Sequence, residues 1–424
     1  MASIASGGVG LLAIALFATR CLNSPELGFF FSFLSFGSLV LISDFGLSYA
    51  ALQTGGRLAG TARLLELPSI AKYIFRWNFL VSCPFSLIVA VLGWATFANH
   101  GSGPASDQIF WSTPWLGYLV GAFANQLTLP GISLREGGGK ILQVWRLRFV
   151  QEWIGTGACL LTLYFGARLW SLMAFVLAKA IVAAVWLWLG DALKMESETP
   201  AFSSKRWMSE VWPFQWKIGL SMLSGFLIFR AFSPLILIEK GPVLAGQFGL
   251  TFSVMNLLIA VSSAWPMSHT ARYSTLFASG RYSELRQEFP AMLVSSTALS
   301  AAAAVILAVG FWQAQKNGLT FALRLTDPLT TAIVLAAAVA HHIVICVAMF
   351  LRAEGREPLL VTSVVGGVVT TSAIWFTARF GSQTDIAVAT LLCALCGIPV
   401  VFLLLRSRQR QLLASKQNEV ESAL

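Results

Sequence analysis

Apolar positions in this chain do not alternate with polar ones. They run together in long stretches broken by short polar segments. A membrane-crossing helix needs about 20 apolar residues for about 30 Å of hydrocarbon. On that measure the first half predicts spans at Ser3–Thr19, Leu27–Ala50, Tyr73–Ala98, Ser112–Leu134, Leu147–Phe165 and Leu169–Gly190. The second half predicts Val211–Ile238, Val243–Met267, Pro290–Trp312, Leu329–Leu351, Leu359–Phe380 and Ile386–Leu405. The fold class expected is therefore an all-α membrane protein of about twelve transmembrane helices. The domain plan is a six-helix lobe over 1–190, a cytoplasmic linker over 191–210, a second six-helix lobe over 211–405 and a basic cytoplasmic tail over 406–424.

Composition agrees. Of the 424 residues, 56% are apolar and 11% charged, against about 25% charged in a soluble domain. The net charge of +10 raises the question of nucleic acid. The basic residues lie between apolar runs, however, and form no single basic surface. The first run, Ile4 to Ala18, has no basic segment before it and no small-residue cleavage site after it, so it reads as a span and not as a signal peptide. Cys83, Cys159, Cys346, Cys393 and Cys396 fall within apolar runs, where thiols pack as small hydrophobes. Neither a disulfide framework nor a metal site is expected.

Lysine and arginine sort between alternate loops. One set holds Arg57, Arg63, Lys72 and Arg76, then Arg135, Lys140, Arg146 and Arg148. It goes on to Lys194, Lys205, Arg206 and Lys217, then Arg272, Arg281 and Arg286, then Arg352, Arg356 and the tail. The other set has only Arg20, Arg168, Lys240, Lys316, Arg324 and Arg379. The richer set is cytoplasmic, and an even number of spans puts both termini there. No loop is long enough to fold by itself.

The halves look related. Leu134-Arg135-Glu136-Gly137-Gly138 follows the fourth span and Leu351-Arg352-Ala353-Glu354-Gly355 the tenth. Phe165-Gly166 ends the fifth and Phe380-Gly381 the eleventh, while Gly28 with Phe30 opens the second and Gly246 with Phe248 the eighth. All share nearly one offset, about half the chain. Six spans are an even number, so the halves insert in the same sense as a parallel repeat, the kind of duplication that encloses a central transport site.

Ionisable groups inside hydrocarbon cost about 2.5–3.5 kcal/mol each on insertion scales and are functional candidates for that reason. Four stand out: Lys179 in the sixth span, Arg230 in the seventh, Glu152 in the fifth and Asp44 near the cytoplasmic end of the second. In one reading Arg230 and Lys179, joined by Arg20, face an anionic diphosphate, the arginine through its fork and the lysine as a point charge. Glu152 or Asp44 then carries a coupling ion. In the other they snorkel or pair structurally. Asn125, Gln126 and Asn256 either hydrogen-bond a sugar or bond between helices, the second use being commoner. His341 and His342 are adjacent and point about 100° apart on a helix, so they do not converge on one metal; a packed polar role is expected, with titration in a cavity the alternative. Prolines in the spans, Pro84, Pro114, Pro130, Pro213, Pro234, Pro266 and Pro399, mark places for kinks. Trp77, Trp111, Trp115, Trp145, Trp170, Trp212 and Trp312 near span ends read as interfacial belts. No phosphate-cradling loop, zinc spacing or nucleophile elbow occurs, so no catalytic residue, metal or cofactor is expected.

Arg20-Cys21-Leu22-Asn23-Ser24-Pro25-Glu26-Leu27-Gly28-Phe29-Phe30 resembles the junction between the first two spans of bacterial polysaccharide-export flippases. Asp44-Phe45-Gly46-Leu47, Gly241-Pro242-Val243-Leu244-Ala245-Gly246-Gln247-Phe248, Trp265-Pro266 with Ala278-Ser279-Gly280-Arg281, and Leu351-Arg352-Ala353-Glu354-Gly355-Arg356-Glu357-Pro358 resemble later junctions of that family. The similarity extends along nearly the whole chain and fits the O-antigen translocase type. It implies a two-lobed bundle that moves undecaprenyl-diphosphate-linked oligosaccharide to the outer leaflet of a bacterial inner membrane, by ion-coupled alternating access. It also implies membrane lipids, a polysaccharide polymerase and chain-length machinery as partners, and no nucleic acid. Two alternatives stay open. One is a drug or cation antiporter of the same superfamily. The other is a membrane polymerase or ligase, against which the short outer connections speak.

Overall fold

A computed structural model describes residues 2–60, 67–100, 109–192, 212–279, 281–353 and 359–423. Among the described residues there are α-helices and one short 3-10 turn, and no strand. The helices are α1 (Ala2–Cys21), α2 (Ser24–Ile42), α3 (Leu47–Gly60), α4 (Leu67–Ala98), α5 (Ser112–Gly137), α6 (Ile141–Tyr164) and α7 (Trp170–Ala192). They continue as α8 (Trp212–Phe229), α9 (Phe232–Lys240), α10 (Pro242–Ala278), α11 (Tyr282–Lys316), α12 (Pro328–Arg352), α13 (Leu360–Phe380) and α14 (Gln383–Ala423). Eight of them are long and apolar enough to cross a membrane, or nine counting one bent pair. This is a multi-pass membrane protein. Leu80, Val91, Leu161, Trp188, Ile306, Val361 and Leu403 lie on the outside of the bundle, a surface suited to lipid and not to water. Most of the linker, the run from Glu354 to Pro358, and Gly280 fall outside the described residues.

Each predicted span meets a helix or a helix pair, with two differences. The second span does not run on to Ala50. Its helix stops at Ile42, and α3 starts at Leu47 after a tight turn. Asp44 makes that turn: its carboxylate accepts from the Gly46 and Ser48 N–H groups, each at 3.0 Å, and from the Ser48 hydroxyl. Phe45 and Gly46 both take positive φ, 48° and 84°. The seventh span is two helices, Gln215–Phe229 and Phe232–Lys240, bent by 44°. Trp115 also departs from its expected interfacial place. It is fully buried, because Phe33 and Phe97 close on it at 5.0 and 5.1 Å between centroids.

The chain forms two compact units. The first comprises residues 2–253 with 320–325. Its centre is α2, which packs on α4, α5, α7, α8 and α9. A capping box starts α2: Asn23 Oδ1 accepts from Glu26 N–H at 2.8 Å while the Glu26 carboxylate accepts from Asn23 N–H at 3.0 Å. Glu26 is buried and is neutralised by Arg168, 2.8 Å away. Arg324 adds a hydrogen bond to Ser24 Oγ at 2.7 Å. The Asn-Ser-Pro-Glu segment therefore has a physical job, fixing where the central helix begins. Gly28 lets α2 and α10 cross at backbone contact, since a Cβ there would lie 2.0 Å from the Pro242 carbonyl oxygen. One at Gly246 would lie 2.9 Å from Gly28 N. The two positions matched by the half-chain offset thus meet each other. Gly137 serves α3 and α5 in the same way, against the Leu52 carbonyl.

The second unit comprises residues 254–319 and 326–424. Within it α12 packs on α11 and α14, and α13 on α14. Asp327 caps α12 by accepting from Thr330 N–H at 3.0 Å, with Pro328 in the first turn. Tyr273 meets Phe289 and Phe350 edge-on in an apolar cluster that includes Leu276, Met292 and Leu351.

Candidate functional site

The break between α8 and α9 places Arg230 inside the first unit. Pro234 supplies no N–H, so the Arg230 carbonyl four residues earlier loses its helical donor, and the proline ring crowds it. The Ser35 hydroxyl of α2 donates to that carbonyl instead. Phe226 O meanwhile accepts from both Arg230 N–H, at 2.8 Å, and Ala231 N–H, at 3.0 Å. Ser32 and Ser233 meet at 3.3 Å between their hydroxyl oxygens and tie α9 to α2 one turn away. The bend is therefore built from a missing donor and a side chain that replaces it.

The Arg230 guanidinium lies within electrostatic reach of Tyr118 on α5. Among the described residues no carboxylate pairs with it. Tyr118 is buried, with its hydroxyl seated against Gly37 of α2, where a Cβ would come within 2.0 Å. Asn125 is two turns further along the same face of α5. It is buried, and its Oδ1 has no hydrogen-bond partner among the described residues. Arg230, at the α8–α9 break, thus faces Tyr118 where α5 meets α2, and Asn125 lies two turns along α5 from that tyrosine. An arginine held this way can bind a phosphate or carboxylate through two parallel N–H donors.

The other candidates are placed differently. Lys179 and Glu152 form an ion pair with each other between α7 and α6. Lys179 Nζ also lies 4.9 Å from the centre of the Phe175 ring, and its carbonyl accepts from Gln151 Nε2 at 3.0 Å. Gln126 forms a reciprocal amide pair with Asn78 of α4: its Nε2 donates to Asn78 Oδ1 at 3.0 Å, and Asn78 Nδ2 lies 3.5 Å from its Oε1. Ser82 donates to the same Asn78 oxygen at 3.0 Å. Asp44 is engaged in its turn, and Gln215 Nε2 of α8 donates to its carbonyl at 3.2 Å. Arg20 is exposed at the end of α1, and Asn256 is half-buried in the second unit. The structure therefore places Arg230 beside Tyr118 of α5, the helix that also carries Asn125, and joins Lys179 to Glu152 between α7 and α6. Tyr118 and Ser35 were missed in the sequence, where a tyrosine and a serine within apolar runs give no signal. Pro234 was the available clue, four residues after the arginine.

Transporters are among the solved structures that share this fold. An inward-facing multidrug resistance MATE family transporter of the MOP superfamily superposes with a TM-score of 0.71 over 96% of each chain, at 10% identity. The Vibrio cholerae MATE transporter VcmN gives 0.68 over 96% of this chain and 95% of that one, at 14% identity. The lipid II flippase MurJ in an inward closed conformation gives 0.64 over 95% and 86%, at 13% identity. The chain shares its fold with MOP-superfamily transporters. At these identities the likeness concerns the fold alone. No protein-family model matches the sequence, and no curated protein matches it either.

Proposed function

We propose that this protein is a flippase for undecaprenyl-diphosphate-linked oligosaccharide, moving repeat units to the outer leaflet of a bacterial cytoplasmic membrane for surface polysaccharide such as O-antigen. It works by ion-coupled alternating access and not as an enzyme, with six helices in each half and both termini in the cytoplasm. A polymerase and chain-length proteins would then take over its product. The observation that carries the reading is the charge balance inside the first unit. Glu152 is matched by Lys179 and Glu26 by Arg168, and Asp44 caps a turn, while Arg230 has no carboxylate partner among the described residues. A site whose unmatched charge is an arginine suits an anionic head group, and the diphosphate is the part common to every lipid-linked sugar. Asn125, two turns along α5 from Tyr118, offers an amide oxygen to a sugar hydroxyl.

The MATE likeness favours a second reading, an antiporter of organic cations. Such a substrate needs a carboxylate free to meet it; Glu152 and Glu26 each pair with a cation, and the Asp44 carboxylate, which has hydrogen bonds and no cationic partner among the described residues, is taken up by the α2–α3 turn. Deleting the gene separates the two. Complete repeat units stalled on the lipid carrier, with little surface polymer, are expected of a flippase. Unchanged intermediates, together with drug resistance conferred on a sensitive host, would overturn it. In the flippase, Arg230→Ala should lower surface polymer about 10- to 100-fold at equal membrane abundance, the equivalent of a charged hydrogen bond worth about 1.5–3 kcal/mol.

A further inference from the structure

Between α10, α11 and α12 of the second unit lies a buried polar assembly that the Arg230 site does not use. His342 on α12 is fully buried. Its Nε2 is 3.2 Å from Ser296 Oγ on α11, and its Nδ1 is 3.4 Å from Ser263 Oγ on α10. The Ser296 hydroxyl donates to the Leu293 carbonyl at 3.2 Å, so its oxygen is left to accept. With the Ser296 hydrogen on that carbonyl, the neutral ring carries its own hydrogen on Nε2, and Nδ1 is the basic nitrogen, facing Ser263. Cys346 Sγ sits 3.4 Å from Nε2. Ser300, one turn along α11, keeps a buried hydroxyl with no hydrogen-bond partner among the described residues.

No charged side chain from α10, α11, α12 or α14 acts on the ring among the described residues. The titratable group touching it is the Cys346 thiol, and His341 projects to another side of α12. The half-chain offset gives this assembly a counterpart. Asn78, Ser82 and Gln126 of the first unit correspond to Ser296, Ser300 and His342, and they too bridge a pair of neighbouring helices. The first bridge is made of amides and a hydroxyl, which do not titrate. The second contains an imidazole, the side chain that takes up a proton within the physiological range.

We propose that His342 takes up and releases the proton that drives transport. The proton adds to Nδ1 and converts imidazole to imidazolium. Nδ1–H then donates to Ser263 Oγ, and the Ser263 hydroxyl turns its own hydrogen towards its helix backbone. The bond between α10 and α12 thus reverses direction and gains a charge on each cycle. The titration stands by itself; its use in transport rests on the flippase reading above.

The protein has four histidines, so 15N-histidine NMR of the full chain in phosphatidylethanolamine–phosphatidylglycerol nanodiscs resolves each ring. The His342 resonance, identified by its loss in His342→Gln, should show an Nε2–H tautomer at high pH and take a proton at Nδ1 as the pH is lowered within the range over which the protein stays folded. Ser263→Ala leaves the ring in place and should shift that titration, so the test survives a misfolded His342→Gln. A ring that stays neutral across the range, or an Nδ1–H tautomer, overturns the proposal. In cells, His342→Gln at normal abundance should accumulate lipid-linked repeat units and lose most surface polymer; full polymer would overturn the coupling role. If deleting the whole gene stalls no intermediates, the flippase reading fails while the NMR result still decides the proton site.

Discussion

The bend at Arg230 makes a prediction that a double-mutant cycle can test. Pro234 withholds the N–H that the Arg230 carbonyl would use, and the Ser35 hydroxyl fills the gap. Removing that hydroxyl with Ser35→Ala strands a buried carbonyl. A stranded group costs about 1–3 kcal/mol, whereas side-chain bonds between membrane helices average about 0.6 and reach about 1.7 kcal/mol. Since Ser35 is the donor seen at this oxygen, the upper part of the membrane range applies, and Ser35→Ala should cost about 1–1.5 kcal/mol. Pro234→Ala restores a backbone donor four residues after Arg230. In that background the carbonyl no longer depends on Ser35, and Ser35→Ala should cost under about 0.5 kcal/mol, a coupling of about 1 kcal/mol. The assay is equilibrium denaturation of the purified wild type, two single variants and the double variant in lipid bicelles. Equal cost of Ser35→Ala in both backgrounds would refute the account of the bend, whatever its absolute size.

Other expectations follow from single contacts. Gly28→Ala puts a methyl 2.0 Å from a backbone oxygen on α10, so it should destabilise by about 1–3 kcal/mol and reduce monodisperse protein on size exclusion; Gly246→Ala, with 2.9 Å to give, should be milder. Glu152→Lys and Lys179→Glu should each lower membrane yield and the swapped double variant restore it, whereas a double variant no better than the singles would count against a structural pair. Asn125→Leu removes a buried oxygen that has no hydrogen-bond partner among the described residues, so thermal stability should hold or rise while surface polymer falls; unchanged polymer would remove Asn125 from the substrate site.

The spans were readable because apolar runs of membrane length leave the chain few choices. Where the reading stopped short, the run itself hid the detail. Asp44-Phe45-Gly46 is a turn signal, an Asx residue followed by a glycine, but its apolar flanks made the second span look continuous to Ala50. Pro234 was visible as a place for a kink, yet whether it bends or breaks the helix depends on Ser35, which lies far away in sequence. The intramembrane charges were found from cost alone, and cost does not say who pairs with whom. Lys179 and Glu152 lie on separate helices, so only packing reveals that they cancel and that Arg230 does not cancel with either. Asn78 went unremarked although it is the partner of Gln126, since an asparagine in a span signals a bond without naming its other end.

If the chain is a duplication, its two halves can be compared residue by residue. A parallel repeat starts with the same side chains at matched positions, and packing keeps those that join helices. Gly28 and Gly246 are such a matched pair, and any larger residue at Gly28 would drive α2 and α10 apart. The buried bridges lie at matched offsets and differ in chemistry: Asn78 with Gln126 in one half, Ser296 with His342 in the other. An amide pair and a serine–imidazole pair join helices about equally well, so structure alone gives little reason for the exchange. They differ in what a proton can do to them, since the amides do not titrate and the imidazole does.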